Sequence, residues 1–339
     1  MSITAKELAK LLNISSATVS MVLNHKPGIS DKTRHLVLET AKKYDYDFSR
    51  FAAMEQKNGV IHLIIYKKHG TVVTDTPFFS ELIEGIENCC QAARYEFQVS
   101  YFYEGQTPQN HISEILSTEK KGLLLLGTEL DMEYFQPFSD LTIPMVVVDT
   151  YFEQLNCDSV LINNVQGAYR ATSYLIEKGF DAIGYLHSSY SIGNFEERAE
   201  GYYKALRHHN LPTNHPYIHH LRPSLEGSYH DMMDYLHSGN PVASAYFADN
   251  DWIAAGAMQA LKEFGYAIPD NVAIIGFDGM PICSVTDPPL STMEVPKKLL
   301  GKIAVEQLIK KINRDTEETV KIELSPRLCE RRSTNKLHL

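Results

Sequence analysis

Apolar residues recur at helical spacing from residue 4 to about residue 46, and beyond residue 60 they gather into short continuous runs between amphipathic stretches. That change of period marks two kinds of structure in one chain. In the first, Thr4-Ala-Lys-Glu7 reads as a capping box opening a short helix, with Leu8, Leu11 and Leu12 as its apolar face and small Ala9 where a second helix can approach. Asn13 tolerates the left-handed conformation of a sharp turn, and Ile14 returns to the core. Ser15 caps a second helix with Val19, Val22 and Leu23 inward, and its opposite face carries Ser16, Ala17, Ser20 and Met21. A third helix, from Asp31 to about Tyr44 behind Ser30, brings Leu36, Val37, Leu38 and Ala41 to a three-helix core. Two helices joined by a tight turn predict a helix-turn-helix, whose second helix approaches a DNA major groove. By itself the spacing fits a generic helical bundle as well.

Beyond residue 60 the strand candidates are 60–66, 97–102, 123–126, 145–148, 182–186, 243–247 and 272–277. Near-continuous apolar runs, separated by helices such as 79–93 and 168–178, predict parallel sheets covered on both faces. At 339 residues the chain is too long for one core, and so many strands imply two α/β lobes. Ligands in such folds sit beyond the carboxyl ends of the strands, which for two lobes is the cleft between them.

Charge sharpens the division. The net charge of −10 hides a head of residues 1–58 with nine Lys/Arg against six Asp/Glu, a net of +3, and a remainder at −13. A basic head on an acidic body is the distribution expected when only the head meets phosphate. The five cysteines are odd in number and form no CxxC, so they read as reduced thiols. The pairs His208-His209 and His219-His220 read as solvated, and no metal or cofactor is expected. No apolar run approaches a membrane span and no secretory signal opens the chain, so the expected location is the cytoplasm, without a membrane partner.

The stretch from Ile3 to Asn24, with its Ala-Thr-Val-Ser-x-Val-Leu-Asn core, followed by Gly28-Ile-Ser-Asp-Lys-Thr-Arg34, closely resembles the headpiece of the LacI/GalR repressor family. The resemblance implies that Thr4, Ser15, Thr18, Ser20, Asn24, Ser30, Thr33 and Tyr46 hold phosphates of double-stranded operator DNA, contacts that position without specifying sequence. Ser16, Ala17 and Met21 would face base edges. Most family members carry Arg where Met21 stands; Met cannot read guanine bidentately, and its apolar contact favours a thymine methyl. In this family the next segment folds on the operator and wedges apolar side chains into the minor groove. Here residues 48–55 lack the usual Pro, and Glu55 stands where the wedging Leu belongs. Met54 becomes the wedge candidate, with a plain linker helix as the other reading.

The resemblance continues through Thr76-Pro-Phe-Phe-Ser-Glu-Leu82, Ile162-Asn-Asn-Val-Gln-Gly-Ala168, Asn194-Phe-Glu-Glu-Arg198, Ala248-Asp-Asn-Asp251 and Ile275-Gly-Phe-Asp278. Pro288-Pro-Leu-Ser-Thr-Met293 looks like the crossing back between lobes, and Arg331-Arg-Ser-Thr334 like the family's closing strand. It implies an all-α helix-turn-helix headpiece (1–47), a hinge and linker (48–59), and a periplasmic-binding-protein-like body (60–339) of two doubly wound parallel-sheet lobes. The first lobe is expected at about 60–158 and 293–318, the second at about 159–290 and 319–334.

Carried over by position, Arg198, Asn250 and Asp278 are the main effector-binding candidates, an Arg fork and two groups able to pair with hydroxyls. Phe78, Phe195 and Trp252 offer apolar faces to a sugar ring, although Trp252 also fits a helix core, and Phe79 reads as core. The family's common Asp after Gly-Phe-Asp is Gly279, and no matching aromatic lies near Arg222-Pro223, so a modified sugar or another metabolite stays open.

The expected function is a homodimeric DNA-binding repressor whose operator affinity answers to a small molecule, a carbohydrate by resemblance. An exported two-lobed solute-binding protein is the alternative, and the headpiece argues against it. An enzyme is not expected: no P-loop, GxSxG or strand-associated GxGxxG is present, and Asp249 and Asp251 flank what looks like a binding asparagine. No heptad repeat precedes the terminus, which argues against a coiled-coil tetramer.

Overall fold

The computed structural model describes residues 3–23, 28–46, 57–68, 77–107, 110, 112–113, 115, 117–214, 216–315 and 318–335. Asn24, Met54 and most of the expected hinge lie outside the described residues. The chain divides into two units, Met1–Asn58 and Gly59–Leu339.

Among the described residues the first unit holds three helices, α1 (Ala5–Leu12), α2 (Ser16–Leu23) and α3 (Asp31–Lys43). Each begins at a hydroxyl that accepts a backbone N–H three residues on: Glu7 N to Thr4 Oγ1 at 3.3 Å, Thr18 N to Ser15 Oγ at 2.9 Å, Thr33 N to Ser30 Oγ at 3.2 Å. Thr4 N donates in return to Glu7 Oε2 at 2.8 Å, completing the capping box. Asn13 closes α1 at φ 51°, the left-handed turn that lets α2 fold back. Leu8, Ala9, Val19, Val22, Leu23, Val37 and Ala41 form the core. Leu11 and Leu36, expected inside, are exposed. At about 100° per residue, Leu8, Ala9 and Leu12 centre one face of α1 and Val37, Leu38 and Ala41 one face of α3, and Leu11 and Leu36 fall outside those arcs.

Among the described residues the second unit contains two six-stranded sheets. The first comprises β1 (Val60–Lys67), β2 (Glu96–Tyr103), β3 (Gly122–Leu126), β4 (Met145–Val148), β5 (Asp158–Ile162) and β11 (Lys321–Leu324), all parallel in the order β11-β5-β4-β3-β1-β2. The second comprises β6 (Ile183–Ser188), β7 (Ile218–Leu221), β8 (Ala245–Ala248), β9 (Ala273–Asp278), β10 (Ser291–Glu294) and β12 (Arg327–Cys329), in the order β12-β10-β9-β8-β6-β7 with only β12 antiparallel. Helices α4 (Pro77–Ala92) and α5 (Met132–Ser139) belong to the first lobe. The second lobe holds α6 (Asn164–Glu177), α7 (Gly193–His208), α8 (Leu225–His237), α9 (Asp251–Glu263) and short α10 (Ile282–Val285), and α11 (Lys297–Asn313) returns to pack on α4.

The lobe boundaries differ from expectation at all three crossings. Residues 158–162 pair with β4 and stay in the first lobe, so the chain crosses at Asn163. Ser291–Glu294, taken as a crossing, is a strand beside β9, and the return begins at Val295-Pro296. Lys321–Leu324 goes back to the first sheet before the last crossing. The expected closing strand at 331–334 is a single 3-10 turn, Arg332–Thr334, held because Ser333 Oγ donates to the Ile274 carbonyl at 2.6 Å. Strands of four or five residues with mixed polarity carry too little period to be seen alone.

Candidate functional site

Two candidate sites emerge, one in each unit. On the first, Ser16, Ala17 and Ser20 lie exposed on α2 opposite the buried Val19, Val22 and Leu23, with Met21 half-buried at the edge. Thr4, Ser15 and Ser30 are exposed at the starts of the three helices, and Thr18, Thr33 and Tyr46 are half-buried. Unfilled backbone N–H groups and the helix dipole make such ends receptive to anions. An acid occupies the first turn of α1 (Glu7) and α3 (Asp31) but none that of α2, so the α2 end presents the least opposition to phosphate.

In the second unit a narrow cavity opens between the lobes. The first lobe contributes Phe78 and Phe79 from α4, Thr128 after β3, Asp149 after β4 and Ile162 ending β5. The second contributes Ile192, then Asn194, Phe195 and Arg198 from α7, Asn250 after β8, and Asp278 ending β9. Parallel strands end on this side in both sheets, which is why residues distant in sequence meet.

Arg198 is the hub. Its Nε donates to Asn164 Oδ1 at 2.9 Å, Nη1 to the Asp249 backbone carbonyl, and Nη2 to Asp278 Oδ1 at 3.1 Å, while its plane lies 3.9 Å over the Phe277 ring. Three of five guanidinium N–H groups are engaged, so the fork is oriented with donors to spare. Asp278 sits at φ 103°, a backbone strain held by its neighbours at the site. Burial raises its carboxyl above the ordinary range, opposed by the charges of Arg198 and Lys297. Asn250 caps α9 by accepting Ile253 N at 2.8 Å on Oδ1, which leaves its amide N–H pair available.

Asp149 is the residue that sequence reasoning missed. It is 2% exposed, sits at φ 65°, and accepts from Thr128 Oγ1 at 2.6 Å through Oδ2, with the Asn194 side chain as a second hydrogen-bond donor to the carboxyl. Burial pushes its carboxyl up to about 6, with the Thr128 hydrogen bond and the Arg198 charge opposing. Thr128 and Asp149 each follow a strand candidate at its carboxyl end, a position that could have marked them. Asn194 lay in a motif already singled out without being chosen. Phe78, Phe195, Arg198, Asn250 and Asp278 do converge on the cavity, bordered also by Phe79.

Trp252 does not join them. Two residues beyond Asn250, it lies about 200° further round α9, and its carbonyl accepts Ser228 Oγ of α8 at 3.2 Å. Asp251, the other acid beside Asn250, is fully buried and accepts Met280 N and Thr292 Oγ1, both at 2.6 Å. It ties the α9 start to β10 and does not line the cavity.

Comparison with known proteins gives this arrangement its setting. Residues 4–48 match the model for bacterial regulatory proteins of the lacI family, and residues 172–334 match a periplasmic binding protein-like domain. The chain is 30% identical to the HTH-type transcriptional repressor PurR of Actinobacillus pleuropneumoniae over 340 residues, covering 99% of each protein. It is 31% identical to the ribose operon repressor of Haemophilus influenzae over 329 residues, covering 95% of this chain and 96% of that one. This chain belongs to the lacI family. Among solved structures, a CelR–cellobiose complex superposes with a TM-score of 0.74 at 22% identity, covering 98% of this chain and 99% of that one. A lac repressor dimer bound to operator and the anti-inducer ONPF superposes at 0.72 and 21%, with the same coverage. These likenesses establish the fold: a lacI-type headpiece and a two-sheet α/β body. As a lacI-family protein the chain is a DNA-binding transcriptional repressor, not an enzyme. Among the described residues no helix is long and apolar enough to cross a membrane.

Proposed function

We propose that this repressor works in the cytoplasm as a homodimer on a near-palindromic operator, and that a neutral polyhydroxyl compound, a sugar, controls it from the interlobe cavity. The observation that carries the ligand class is the lining of the cavity, where the carboxyls of Asp149 and Asp278 meet the amides of Asn194 and Asn250 and the guanidinium of Arg198. Carboxylate acceptors beside spare N–H donors match hydroxyl groups, which donate and accept at once. Phe78 and Phe195 offer the apolar faces a sugar ring leaves uncovered. Two carboxyls against one guanidinium disfavour a phosphate, because an added anion meets net repulsion in a buried site. The ribose operon repressor among its relatives makes D-ribose the first compound to test.

On the DNA side, Ser16, Ala17 and Met21 face base edges, and Thr4, Ser15, Thr18, Ser20, Asn24, Ser30, Thr33 and Tyr46 hold phosphates, with Met54 as the minor-groove wedge. Sugar between the lobes favours one lobe arrangement, and operator affinity changes by the ratio of sugar affinities for the two states. Fluorescence anisotropy on the chain's own upstream promoter fragment tests this, with D-ribose, cellobiose and D-ribose 5-phosphate added in turn. The expected result is preference for that fragment over random duplex, altered by a neutral sugar and not by the phosphate. Equal affinity for both duplexes under all conditions would overturn the regulatory reading, and a response to the phosphate alone would overturn the ligand class.

A further inference from the structure

Beneath the cavity floor lies a polar cluster that the proposed function does not use. Asp249, ending β8, is fully buried, and its carboxylate accepts three donors: Tyr185 Oη–H, Ser188 N–H at 2.7 Å and His187 Nδ1 at 2.7 Å. An acceptor-only carboxylate oxygen against Nδ1 places the His187 hydrogen on Nδ1, so Nε2 is where a second proton is gained or lost. His187 Nε2 makes no hydrogen bond among the described residues, and the imidazole is 12% exposed. The same Asp249 residue grips Arg198 through its backbone carbonyl, and its neighbour Asn250 lines the cavity. One peptide therefore orients two of the groups that meet the sugar, and His187 is one of the bolts on that peptide's side chain.

We propose that His187 is a positioning residue for the sugar cavity, acting through Asp249 on Arg198, and that gain of its second proton tightens sugar binding. The proposal rests on the cavity being the sugar site. The titratable and charged groups around the imidazole are Tyr185 on its own strand, Asp249 on β8, His220 on β7 with ring centroids 5.2 Å away, and Glu196 on α7; Arg198 lies beyond Asp249. Burial pulls the imidazole down, and its hydrogen bond and attraction to Asp249, with Glu196 adding, more than reverse this, so it titrates above an ordinary histidine. Protonated, His187 balances Asp249, whose negative charge otherwise presses on Asp278 and favours its neutral form. An ionised Asp278 is the better acceptor for a sugar hydroxyl and the better partner for Arg198.

Two measurements on the full chain decide this. In the first, NMR titration of histidine labelled at 13Cε1 follows the His187 midpoint in the wild type and in Arg198→Met. Removing the cation beyond Asp249 is expected to move the midpoint up, and an unchanged midpoint overturns the coupling. In the second, calorimetric D-ribose affinity is compared at about pH 6.8 and about pH 8.5, with an expected weakening of about threefold at the higher pH by linkage. His187→Gln, which keeps a donor for Asp249 without a titrating proton, is expected to flatten that dependence, and His187→Ala to weaken binding at both pH values. A wild-type pH dependence retained in His187→Gln overturns the proposal, since a merely structural histidine would leave the profile alone. If D-ribose binds the wild type at neither pH, the D-ribose assignment falls, and the NMR titration alone decides the coupling.

Discussion

The headpiece and the cavity place their working groups in opposite ways. On the headpiece the described candidate groups are exposed or half-buried and close in sequence, and the hydroxyls of Thr4, Ser15 and Ser30 already cap helices. In the cavity they are buried and come from segments between Phe78 and Asp278. One surface is ready-made because helix ends need polar caps, and the same N–H-rich ends suit the phosphates proposed to bind there. The other depends on two sheets meeting, so each buried polar group must find a partner or keep a place for one. Damage to the first should therefore be confined to DNA, and damage to the second to the sugar.

The sharpest way to break that division is Ala17→Glu. The side chain is exposed and outside the core, so folding should be unaffected, while a carboxylate faces the duplex. Operator affinity by anisotropy should fall about 100-fold or more through repulsion and lost close approach, with the D-ribose thermal shift retained. Loss of both would show that Ala17 packs into the protein and is not on a free DNA-facing surface. The mirror experiment is Arg198→Ala, expected to weaken the sugar about 100-fold, as loss of a buried charge-assisted fork does, with operator binding retained. A retained sugar response in this variant would remove the assigned site.

Asp149→Asn should separate function from stability within the body itself. Burial raises the Asp149 carboxyl to about 6, above its unfolded range. A raised acid contributes most to stability below its unfolded pKa, and that contribution is lost as pH rises through about 6. At neutral pH the empty protein thus holds a carboxylate it would rather neutralise, at a cost of up to about 3 kcal/mol. The Asn variant should melt several degrees higher than the wild type near neutral pH, should stabilise less on going to about pH 5, and should lose the D-ribose shift. A variant that melts lower at every pH would show Asp149 to be a structural acceptor for Thr128 only.

Much of this was legible in the chain, for different reasons in the two regions. Thr4, Ser15 and Ser30 announced helix starts because a cap acts within three residues, and the structure puts a helix behind each. Leu11 and Leu36 misled because apolar character does not say which arc a helix buries. In the body, long strands such as β1 were evident, whereas β5, β10 and β11 were missed or misplaced and carried the lobe boundaries with them. Asp149 had only its place behind a strand candidate to mark it, since nothing else in Val-Asp-Thr separates it from a loop aspartate until both lobes are seen to line one cavity. Trp252 erred the other way: its neighbour Asn250 faces the cavity, but the helix turns the indole's residue elsewhere.

The smallest expected effect probes whether the headpiece hydroxyls serve one master or two. Ser15 Oγ accepts Thr18 N–H at 2.9 Å and lies 2.8 Å from Thr18 Oγ1, so it is a helix cap before it meets any DNA. Ser15→Ala should cost about 1 kcal/mol of local helix stability, read as faster amide exchange at Val19 and Val22, and lower operator affinity by several-fold. That fall alone would not distinguish a lost cap from a lost phosphate contact. Ser15→Asp does, because aspartate caps as well as serine but repels phosphate. Amide protection should return in the Asp variant while operator affinity falls further, and the deficit should widen at low salt, where repulsion is least screened. Recovery of both together would mean that Ser15 acts on DNA only through the helix it starts.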